Sequence, residues 1–280
     1  MHSFQEVKSL FVTFMLNASI VLYNHSLAEI APLVETLRKS DLVSAIFLID
    51  NSSESNADFE QLEANYLPNS KNIGYGAAHN IAIRQTIAQN IPYHLVVNPD
   101  ISFDAVILHK IISYMDSNPE VGHLMPKVYY PDGEVQYLCK LLPTPFDLIF
   151  RRFIPSAWTK RRTEKFELRN SGYNQIVDVP YLSGCFMFLR TEALKGVGIF
   201  DERFFMYPED IDLTRRIQRK FRTVFYPEVS IVHHHARDSY QNLKMLGIHI
   251  TNMIRYFNKW GWIFDQERKI MNKKTLNQFK

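Results

Sequence analysis

The fold of this chain is decided by residues 18–51, which read ASIVLYNHSLAEIAPLVETLRKSDLVSAIFLIDN. Residues 18–23 form an apolar run typical of a buried strand, residues 27–39 repeat apolar side chains at helical spacing, and residues 45–49 are apolar again. A strand, a helix and a second strand in this order predict a βαβ unit with parallel strands.

The same alternation continues toward the C-terminus. Its segments are helices at about 76–89, 103–117 and 211–219, strands at 93–97, 121–129 and 223–232, and a helical pattern beyond residue 239. We therefore predict an α/β fold with a mostly parallel, doubly wound central sheet flanked by helices, followed by a helical C-terminal extension.

Residues 141–168 interrupt this pattern. They are aromatic and basic, with prolines at 143, 145 and 155, which favours a mobile loop or an irregular excursion. The cations crowded into this segment are Arg151, Arg152, Lys160, Arg161, Arg162 and Lys165.

Length and composition limit the classes of protein that fit. A chain of 280 residues with 46% hydrophobic content can bury one substantial core. No apolar run reaches the roughly 18 residues that span a bilayer, and the residues before Ser9 lack the layout of a secretory signal, so we expect a cytoplasmic protein. Residues 1–17 fit the pattern poorly, which leaves Met1 and Met15 as alternative starts.

Cysteine content and charge exclude further classes. The two cysteines, Cys139 and Cys185, are too few and too isolated for a disulfide framework or a zinc site, and they fit a reducing compartment. A net charge of +3 is too small to indicate a nucleic-acid partner.

Polar residues follow three of the predicted strands. They are Asn24 and Ser26, then Asp50 and Asn51, then Asn98 and Asp100. Ligands of open α/β sheets bind beyond the carboxyl ends of the strands, so these residues are candidates for a site. Asn, Asp and Ser are also ordinary turn residues, but three such strand ends in succession favour the site.

A glycine-bearing turn, NIGYGAAHN at residues 72–80, opens the second predicted helix. Small residues let a ligand approach the backbone, and a helix N-terminus favours a phosphate. The turn lacks the Gly-Lys-Ser/Thr of a Walker loop and the full spacing of a dinucleotide fingerprint. The alternative interpretation is a plain helix start.

Two clusters of ionisable residues lie further along the chain. Glu209, Asp210 and Asp212 begin a predicted helix, where they serve either as a cap that suits the helix dipole or as a catalytic base with supporting neighbours. Residues 233–235 are three histidines at a strand end, and one of them is a candidate metal ligand. The accompanying carboxylates favour Mg²⁺ or Mn²⁺ over zinc.

Taken in order, these motifs resemble those of the family 2 glycosyltransferases, inverting enzymes of the GT-A fold, and in particular the bacterial rhamnosyltransferase-like group. The resemblance covers about residues 18–240. Its segments are IVLYN at 20–24, IDN at 49–51, NIGYG at 72–76, VNPD at 97–100, SGCFM at 183–187, residues 198–207 with Glu209 and Asp210, and residues 233–239.

The resemblance implies a domain division and a set of site residues. Residues 1–240 would form the GT-A domain, with a donor half at about 18–130 and an acceptor half at about 131–240, and residues 241–280 the helical extension. The implied donor-binding residues are Tyr23, Asn24, Asp50, Gly74, Asn80, Asn98 and Asp100. The implied acceptor-binding residues are Ser183, Gly184 and Tyr207, and Phe205 would stack on sugar rings with Tyr207.

The resemblance also implies a mechanism. Asp210, paired with Glu209, corresponds to the catalytic base that activates the acceptor hydroxyl for a single inverting displacement. Asn98-Pro99-Asp100 resembles the DxD element with its first Asp replaced by Asn, which leaves Asp100 as the main carboxylate on a Mg²⁺ or Mn²⁺ ion. His233 would be a further metal ligand.

The implied donor is dTDP-β-L-rhamnose, because NIGYG and the HxHxRxS pattern of residues 233–239 look most like enzymes that use it. The alternative donor is a UDP-hexose or a UDP-N-acetylhexosamine. The implied acceptor is a saccharide, lipid-linked in one interpretation, in the synthesis of a bacterial cell-surface polysaccharide. Two other classes stay open: a nucleotide-sugar binder without catalysis, and a metal-dependent hydrolase.

The basic aromatic stretch at 146–165 and the C-terminal helix have two interpretations. The aromatic residues of that helix are Tyr256, Phe257, Trp260, Trp262 and Phe264. Together with the basic stretch they would lie on the anionic inner face of the plasma membrane. Alternatively, they cover the core or form the seam of a homodimer.

Overall fold

A mixed β-sheet runs through the centre of the computed structural model, which describes residues 15–149, 154–234 and 243–279. Its strand order is β3-β2-β1-β4-β10-β6-β11-β5, and β8 pairs with β11. These strands are β1 (Leu16–Leu22), β2 (Val43–Asp50), β3 (Asn65–Pro68), β4 (Tyr93–Val97), β5 (Ile101–Ser102), β6 (Val121–Tyr129), β8 (Val177–Asp178), β10 (Phe186–Arg190) and β11 (Arg222–His233). A separate ribbon joins β7 (Cys139–Lys140) to β9 (Tyr181–Leu182).

Helices cover both faces of this sheet. They are α1 (Leu27–Arg38), α2 (Tyr75–Ala88), α3 (Val106–Ser117), α4 (Pro145–Leu148), α5 (Ser156–Phe166), α6 (Thr191–Val197), α7 (Glu209–Gln218), α8 (Leu243–Trp260) and α9 (Gln266–Asn277). Two 3-10 helices, Ala57–Gln61 and Arg169–Ser171, lie in connections.

The predicted βαβ unit is present. Helix α1 starts at Ser26, whose amide donates to the Glu29 side chain at 2.7 Å, as in a capping box. Its apolar residues recur at helical spacing, so that Ile30, Leu33 and Val34 are buried on one face against the sheet. Strands β1 and β2 are consequently parallel, with Leu22 opposite Asp50 at their carboxyl ends.

The sheet is less parallel than predicted. Strands β3, β2, β1 and β4 are mutually parallel, but β10 inserts antiparallel between β4 and β6. Strand β10 follows the long excursion of residues 130–185, which contains α4, α5 and three short strands instead of the single helical crossover of a βαβ unit. The sequence pattern also missed the edge strand β3, because its residues are few and half-exposed.

The expectation of a mobile loop at residues 141–168 is wrong for its described part, which contains α4 and α5. The prolines do not break these helices, because Pro145 is the first residue of α4 and Pro155 caps α5. Residues 157–166 are rich in Lys, Arg and Glu, which are good helix formers. Arg151 and Arg152 lie outside the described residues.

The C-terminal extension is helical, as predicted, but consists of two helices. Helix α8 ends at Trp260 because Gly261 adopts a φ of +100°. Trp262 and Phe264 therefore lie in the connection before α9, where Phe264 is 87% exposed. In the described part of the chain, no helix has the length and apolar character needed to cross a membrane.

A buried ion pair fastens this extension to α7. The Arg215 guanidinium is 1% exposed and donates to both oxygens of Asp265 at 2.8 and 2.6 Å, while Glu267 accepts from it at 2.8 Å. Its plane lies over the ring of Trp260, with 4.0 Å between the guanidinium carbon and the ring centroid. The extension thus packs on the domain, while the division of the chain at residue 240 stays a prediction.

We expect Asp265→Ala to lower the free energy of unfolding by about 3 kcal/mol, because it leaves a buried cation short of its main partner. The matched control is Glu63→Ala, which removes an ion pair between exposed Arg38 and Glu63 side chains and should cost less than about 1 kcal/mol. Urea unfolding of both variants measures the difference. Equal losses would contradict the anchoring role of the Arg215–Asp265 pair.

Candidate active site

The carboxyl ends of β1 and β2 bring predicted donor-binding residues together. The Asn24 amide donates to the Ser52 hydroxyl at 2.7 Å, and Ser52 donates to Asp50 Oδ1 from its amide at 2.9 Å and its hydroxyl at 2.5 Å. Tyr23 stands beside them with 55% of its surface exposed. Ser52 was not singled out in the sequence, although it follows the Asp50-Asn51 pair directly.

The Asp50 carboxylate is held from two sides. It is 2% exposed, and its Oδ2 accepts from the Tyr66 hydroxyl of β3 at 2.7 Å. Burial and this bond raise the pKa of Tyr66 to about 12, so the phenol stays a donor. Tyr66 was missed because the strand that carries it was missed. The role of Asp50 toward a nucleotide base stays a prediction.

The glycine-bearing turn starts α2, as predicted, and Gly74 is its cap. Gly74 has a φ of +92°, and a Cβ there would lie 2.4 Å from the Phe205 carbonyl oxygen, so only glycine fits. The next amide, that of Tyr75, donates to the same Phe205 oxygen at 3.0 Å. The group that approaches the Gly74 backbone closely is thus the loop that precedes α7. Its contact with a diphosphate stays a prediction.

Asn80 is fully buried one turn further along α2. Its amide nitrogen donates to the Phe200 carbonyl and to Glu202, both at 2.9 Å, and its side-chain oxygen accepts from the Phe200 amide at 3.0 Å. The polar atoms of the Asn80 side chain, which was expected beside the donor, are therefore hydrogen-bonded to other residues of the protein. The structure gives Asn80 an anchoring position, and its contact with the donor stays a prediction.

Tyr75 joins three of the predicted motifs. Its hydroxyl lies 2.9 Å from Asn98 Oδ1 and 2.8 Å from the Gly184 carbonyl oxygen. Burial raises the pKa of Tyr75 well above its usual value, and the nearby carboxyl groups of Glu209 and Asp210 act in the same direction. The sequence analysis quoted Tyr75 within NIGYG but used only its neighbours. Its position in the first turn of a helix that a glycine-bearing turn opens is the feature of the sequence that could have indicated Tyr75.

The Glu209–Asp210 pair begins α7 within this cluster. Asp210 Oδ2 accepts from the Gly184 amide at 3.0 Å, and Oδ1 accepts from the Ile211 amide at 2.7 Å. A Cβ at Gly184 would lie 3.3 Å from the Asp210 Cβ. Ser183 precedes it, half-buried in the turn between β9 and β10. The structure thus brings the predicted base and the predicted acceptor wall into contact.

The two carboxyl groups have unequal acidity. Burial raises the pKa of Asp210 to about 6, although the Gly184 and Ile211 amides act against the rise. Burial and the neighbouring Asp210 charge raise the pKa of Glu209 further, and its Oε2 has no hydrogen-bond partner among the described residues. The two shifts favour a pair with a single negative charge at neutral pH, and the two amide donors favour its location on Asp210.

Asp100 and His233, the two implied metal ligands, lie side by side at the start of β5 and the end of β11, and their binding of a metal stays a prediction. His233 Nε2 lies 3.3 Å from Asp100 Oδ1. On the other edge of the ring, Nδ1 lies 3.0 Å from Gln136 Oε1, and Gln136 Nε2 donates to the His233 carbonyl at 2.9 Å. Gln136, another residue that the sequence did not reveal, thus orients the imidazole.

These two side chains fit a divalent cation. A buried imidazole nitrogen and a carboxylate oxygen 3.3 Å apart can bind one ion side by side, and a hydrogen bond to the other nitrogen of a ligating histidine is the usual support. Within residues 15–149, 154–234 and 243–279, no group of three His, Cys, Asp or Glu side chains could hold a metal. Two protein ligands suit Mg²⁺ or Mn²⁺, which take further ligands from phosphates and water.

The remaining predicted residues lie around this centre. The side chain of His234 points elsewhere, with Nε2 2.9 Å from the Ser102 hydroxyl, and His235 and Ser239 lie outside the described residues. Tyr207 adopts a φ of 90° and packs its ring edge to face with His249, at a centroid distance of 4.8 Å. The stacking of Tyr207 and Phe205 on sugar rings stays a prediction.

Solved structures show which class this fold belongs to. The chain superposes on TarS of S. aureus with a TM-score of 0.59 at 15% identity, covering 94% of this chain and 43% of TarS. It superposes on GalNAc-T7, solved with UDP, GalNAc and Mn²⁺, with a TM-score of 0.63 at 13% identity, covering 92% and 50%. The mannosyltransferase PcManGT of Pyrobaculum calidifontis, solved with GDP-Man and Mn²⁺, gives 0.51 at 14% identity, covering 94% and 74%. The fold is therefore GT-A, as predicted.

The curated proteins that are similar to this chain in sequence are glycosyltransferases. The N-acetylglucosaminyl-diphospho-decaprenol L-rhamnosyltransferase of Mycobacterium tuberculosis is 28% identical over 214 residues, which cover 70% of this chain and 68% of the relative. The low-salt glycan biosynthesis hexosyltransferase Agl10 of Haloferax volcanii is 24% identical over 185 residues, 64% of this chain and 54% of Agl10. No family model matches the chain.

These findings confirm the resemblance on which the sequence analysis relied. The chain is a glycosyltransferase of the GT-A fold, similar to rhamnosyltransferases of family 2. It spans less than half the length of TarS and about half the length of Agl10.

The unpaired oxygen of Glu209 has a measurable consequence for stability. Because folding raises the pKa of Glu209 above its ordinary value of 4.5, the folded state takes up a proton. The free energy of unfolding should therefore fall as pH rises above about 4.5. Glu209→Gln should flatten this decline, which thermal unfolding between pH 5 and 8 measures. An unchanged pH dependence in the variant would contradict the buried, protonated state of Glu209.

Proposed function

We propose that the chain transfers L-rhamnose from dTDP-β-L-rhamnose to a hydroxyl of a saccharide acceptor, with inversion at the anomeric carbon. The proposed setting is the synthesis of a bacterial cell-surface polysaccharide. The observation that carries the proposal is the placement of Asp210, held by the Gly184 amide beside Tyr75 and Asn98. The rhamnosyltransferase named among the relatives supports the choice of sugar.

The proposed reaction is one displacement. Asp210, ionised at neutral pH, accepts the proton of the acceptor hydroxyl while that oxygen forms its bond to the anomeric carbon. The bond from the anomeric carbon to the diphosphate oxygen breaks with both electrons going to the leaving diphosphate. The products are the glycoside, protonated Asp210 and dTDP, and Asp210 then releases its proton to water.

The surrounding residues have supporting roles in this proposal. Gly184 and Ile211 fix the two oxygens of Asp210, and Glu209, neutral beside it, adds no second negative charge near the acceptor. Mg²⁺ or Mn²⁺, held by Asp100 and His233, would supply positive charge for the leaving diphosphate. The structures of GalNAc-T7 and PcManGT, which share this fold, contain Mn²⁺, and this supports a divalent metal for this chain.

The donor pocket is proposed at the ends of β1 and β2. Asp50, already aligned by Ser52 and Tyr66, would accept from the ring N–H of thymine or uracil, with Tyr23 and Asn24 beside the base and ribose. The alternative donor is a UDP-hexose or UDP-N-acetylhexosamine, which the TarS complex with UDP-GlcNAc favours. Gly74 and Asn98 would line the path toward the diphosphate.

Asp210→Asn should reduce acceptor-dependent release of dTDP by about 100-fold or more, because it removes the general base. The matched control is Glu209→Gln, which should stay within about 10-fold of the parent, since an amide resembles a protonated carboxyl group in size and polarity. In the parent, kcat/KM should rise as pH increases through about 6, where Asp210 loses its proton.

The measurement is nucleotide release from a panel of dTDP- and UDP-sugars with Mn²⁺ or Mg²⁺, with and without acceptor. Equal activity of Asp210→Asn and the parent would place the base elsewhere. Release without acceptor would indicate a hydrolase, and donor binding without any release would indicate a binding protein. Failure of every nucleotide sugar to bind would contradict the proposed donor site.

We further propose that the acceptor is lipid-linked and that one face of the chain contacts an anionic membrane. Two of the predicted membrane aromatics are excluded, because Tyr256 and Phe257 are buried and cover the core. In the connection between α8 and α9, the predicted Phe264 and Trp262 are 87% and 37% exposed, and Ile263 between them is 72% exposed. The relative in M. tuberculosis is named for a decaprenol-linked acceptor, which supports the proposal.

The exposed apolar connection adjoins the basic helix α5. Arg268 donates to the carbonyls of Ile263, at 3.4 Å, and of Pro143, at 3.2 Å. The next residue, Thr144, accepts from Arg162 of α5 at 2.8 Å. The same helix exposes Trp158, at 84%, and the cations Lys160, Arg161 and Lys165. Apolar side chains next to cations are the combination that anionic membrane surfaces attract.

Replacing both Ile263 and Phe264 by Ser should weaken binding to vesicles of phosphatidylglycerol and phosphatidylcholine by about tenfold or more, because it removes the inserted apolar surface. Val106→Ser is the matched control, since Val106 is 52% exposed on α3. Sedimentation with vesicles measures binding. Equal binding of the double variant and the parent, or of anionic and neutral vesicles, would exclude this surface and favour a dimer seam.

A further inference from the structure

The loop before α7, residues 201–208, needs an external support. Its residue Tyr207 has a φ of 90°, a backbone conformation that residues other than glycine rarely adopt. Asp210 follows three residues later, so the path of this loop sets where the Asp210 carboxylate points. We call residues 201–208 the base loop.

The geometry points to α8 as the element that positions Asp210, by holding the base loop from the side opposite the cleft. This inference rests on the proposed function only in assigning the role of base to Asp210. Helix α8 lies beyond residue 240, outside the segment that carries the sequence resemblance to glycosyltransferases.

The first set of contacts is to the backbone of the base loop. Asn252, which is 1% exposed, donates to the Met206 carbonyl at 2.9 Å, and Arg255 donates to the Arg203 carbonyl at 2.8 Å. The Asn252 side-chain oxygen in turn accepts from Arg255 at 3.2 Å. These bonds fix the carbonyl groups on either side of Phe204 and Phe205, directly before the strained Tyr207.

The second set of contacts fixes the two ends of the base loop. Lys259 Nζ lies 2.8 Å from Asp201 Oδ2, at the start of the loop, and 2.6 Å from Asp212 Oδ1, in the first turn of α7. Trp260 Nε1 donates to the same Asp212 oxygen at 2.8 Å. Asp212 is fully buried, and Arg216 binds its other oxygen at 2.8 Å. A single ammonium group of α8 thus joins both ends.

The opposite side of the base loop faces the catalytic cluster. The backbone carbonyl of Phe205 accepts from the Tyr75 amide at 3.0 Å and lies against Gly74. The loop is therefore held between the start of α2 and α8. Release of Met206 and Asp212 by α8 would leave the base loop with its contact to the start of α2 and would remove its support on the opposite side.

This arrangement also separates the roles of the three carboxylates at residues 209–212. Asp212 is saturated by Lys259, Trp260 and Arg216, so it serves as an anchor and has no oxygen directed at the cleft. Asp210 is the carboxylate that meets Gly184. Helix α8 accordingly acts through Asp212 and Met206, and its residues are positioning residues.

The test uses Asn252→Leu and Lys259→Met, which remove the donors but keep most of the side-chain volume. Lys259→Arg keeps a cation, and Ile254→Ser is the control, because Ile254 is 40% exposed on the same helix. We expect the two test variants to lower kcat by tenfold or more while the donor Kd changes by less than about threefold, since the predicted donor pocket is formed by β1 and β2. Lys259→Arg should recover most of kcat, and Ile254→Ser should match the parent.

Hydrogen exchange of peptides covering residues 201–214 provides a readout that does not depend on turnover. The test variants should exchange faster there and unchanged in peptides from β1 and β2, even if no tested sugar nucleotide is a substrate. Loss of donor binding together with kcat, equal effects of Ile254→Ser, or unchanged exchange of the base loop would each overturn the inference. Absence of turnover in the parent with altered exchange in the variants would count against the proposed function alone.

Discussion

The hydrogen bond from the Gly184 amide to the Asp210 carboxylate is the contact on which the geometry of the site depends. Gly184 leads into β10, the strand that enters the sheet antiparallel between β4 and β6, and Asp210 begins α7. One bond of 3.0 Å thus ties the turn before β10 to the helix that carries the proposed base. A side chain at residue 184 would lie against the carboxylate, so a small residue is required for this approach.

Burying two adjacent carboxyl groups is unfavourable, and the structure offsets the cost unequally. Asp210 receives two amide donors at the start of a helix, where the dipole favours negative charge, whereas Glu209 keeps an unpaired oxygen and remains protonated. The pair resembles other catalytic carboxyl pairs in this respect, because two neighbouring acids with different surroundings can take different protonation states at one pH. These surroundings favour the negative charge on Asp210, the proposed base.

The C-terminal extension does more than cover apolar surface. Its buried Arg215–Asp265 pair fastens it to α7 from one side, and Asn252, Lys259 and Trp260 fasten the base loop from another. Asp50 of the predicted donor pocket and His233 of the proposed metal pair have no such contact with the extension, because Tyr66 and Gln136 orient them within or next to the sheet itself. The base loop and Asp212, next to the predicted acceptor side, are the parts that contact the added helices.

The sequence by itself determined the α/β alternation, the strand ends that carry Asn24, Asp50, Asn98 and Asp100, and the helix that starts at Glu209. It did so because apolar periodicity and local turn chemistry are properties of neighbouring residues. Tertiary structure decided the antiparallel insertion of β10, the bridging position of Tyr75, the support of His233 by Gln136 and the anchoring of the base loop by α8. Each of these contacts joins residues that are 20 to more than 90 positions apart in the chain, and no local pattern encodes which distant partner a buried polar group will meet.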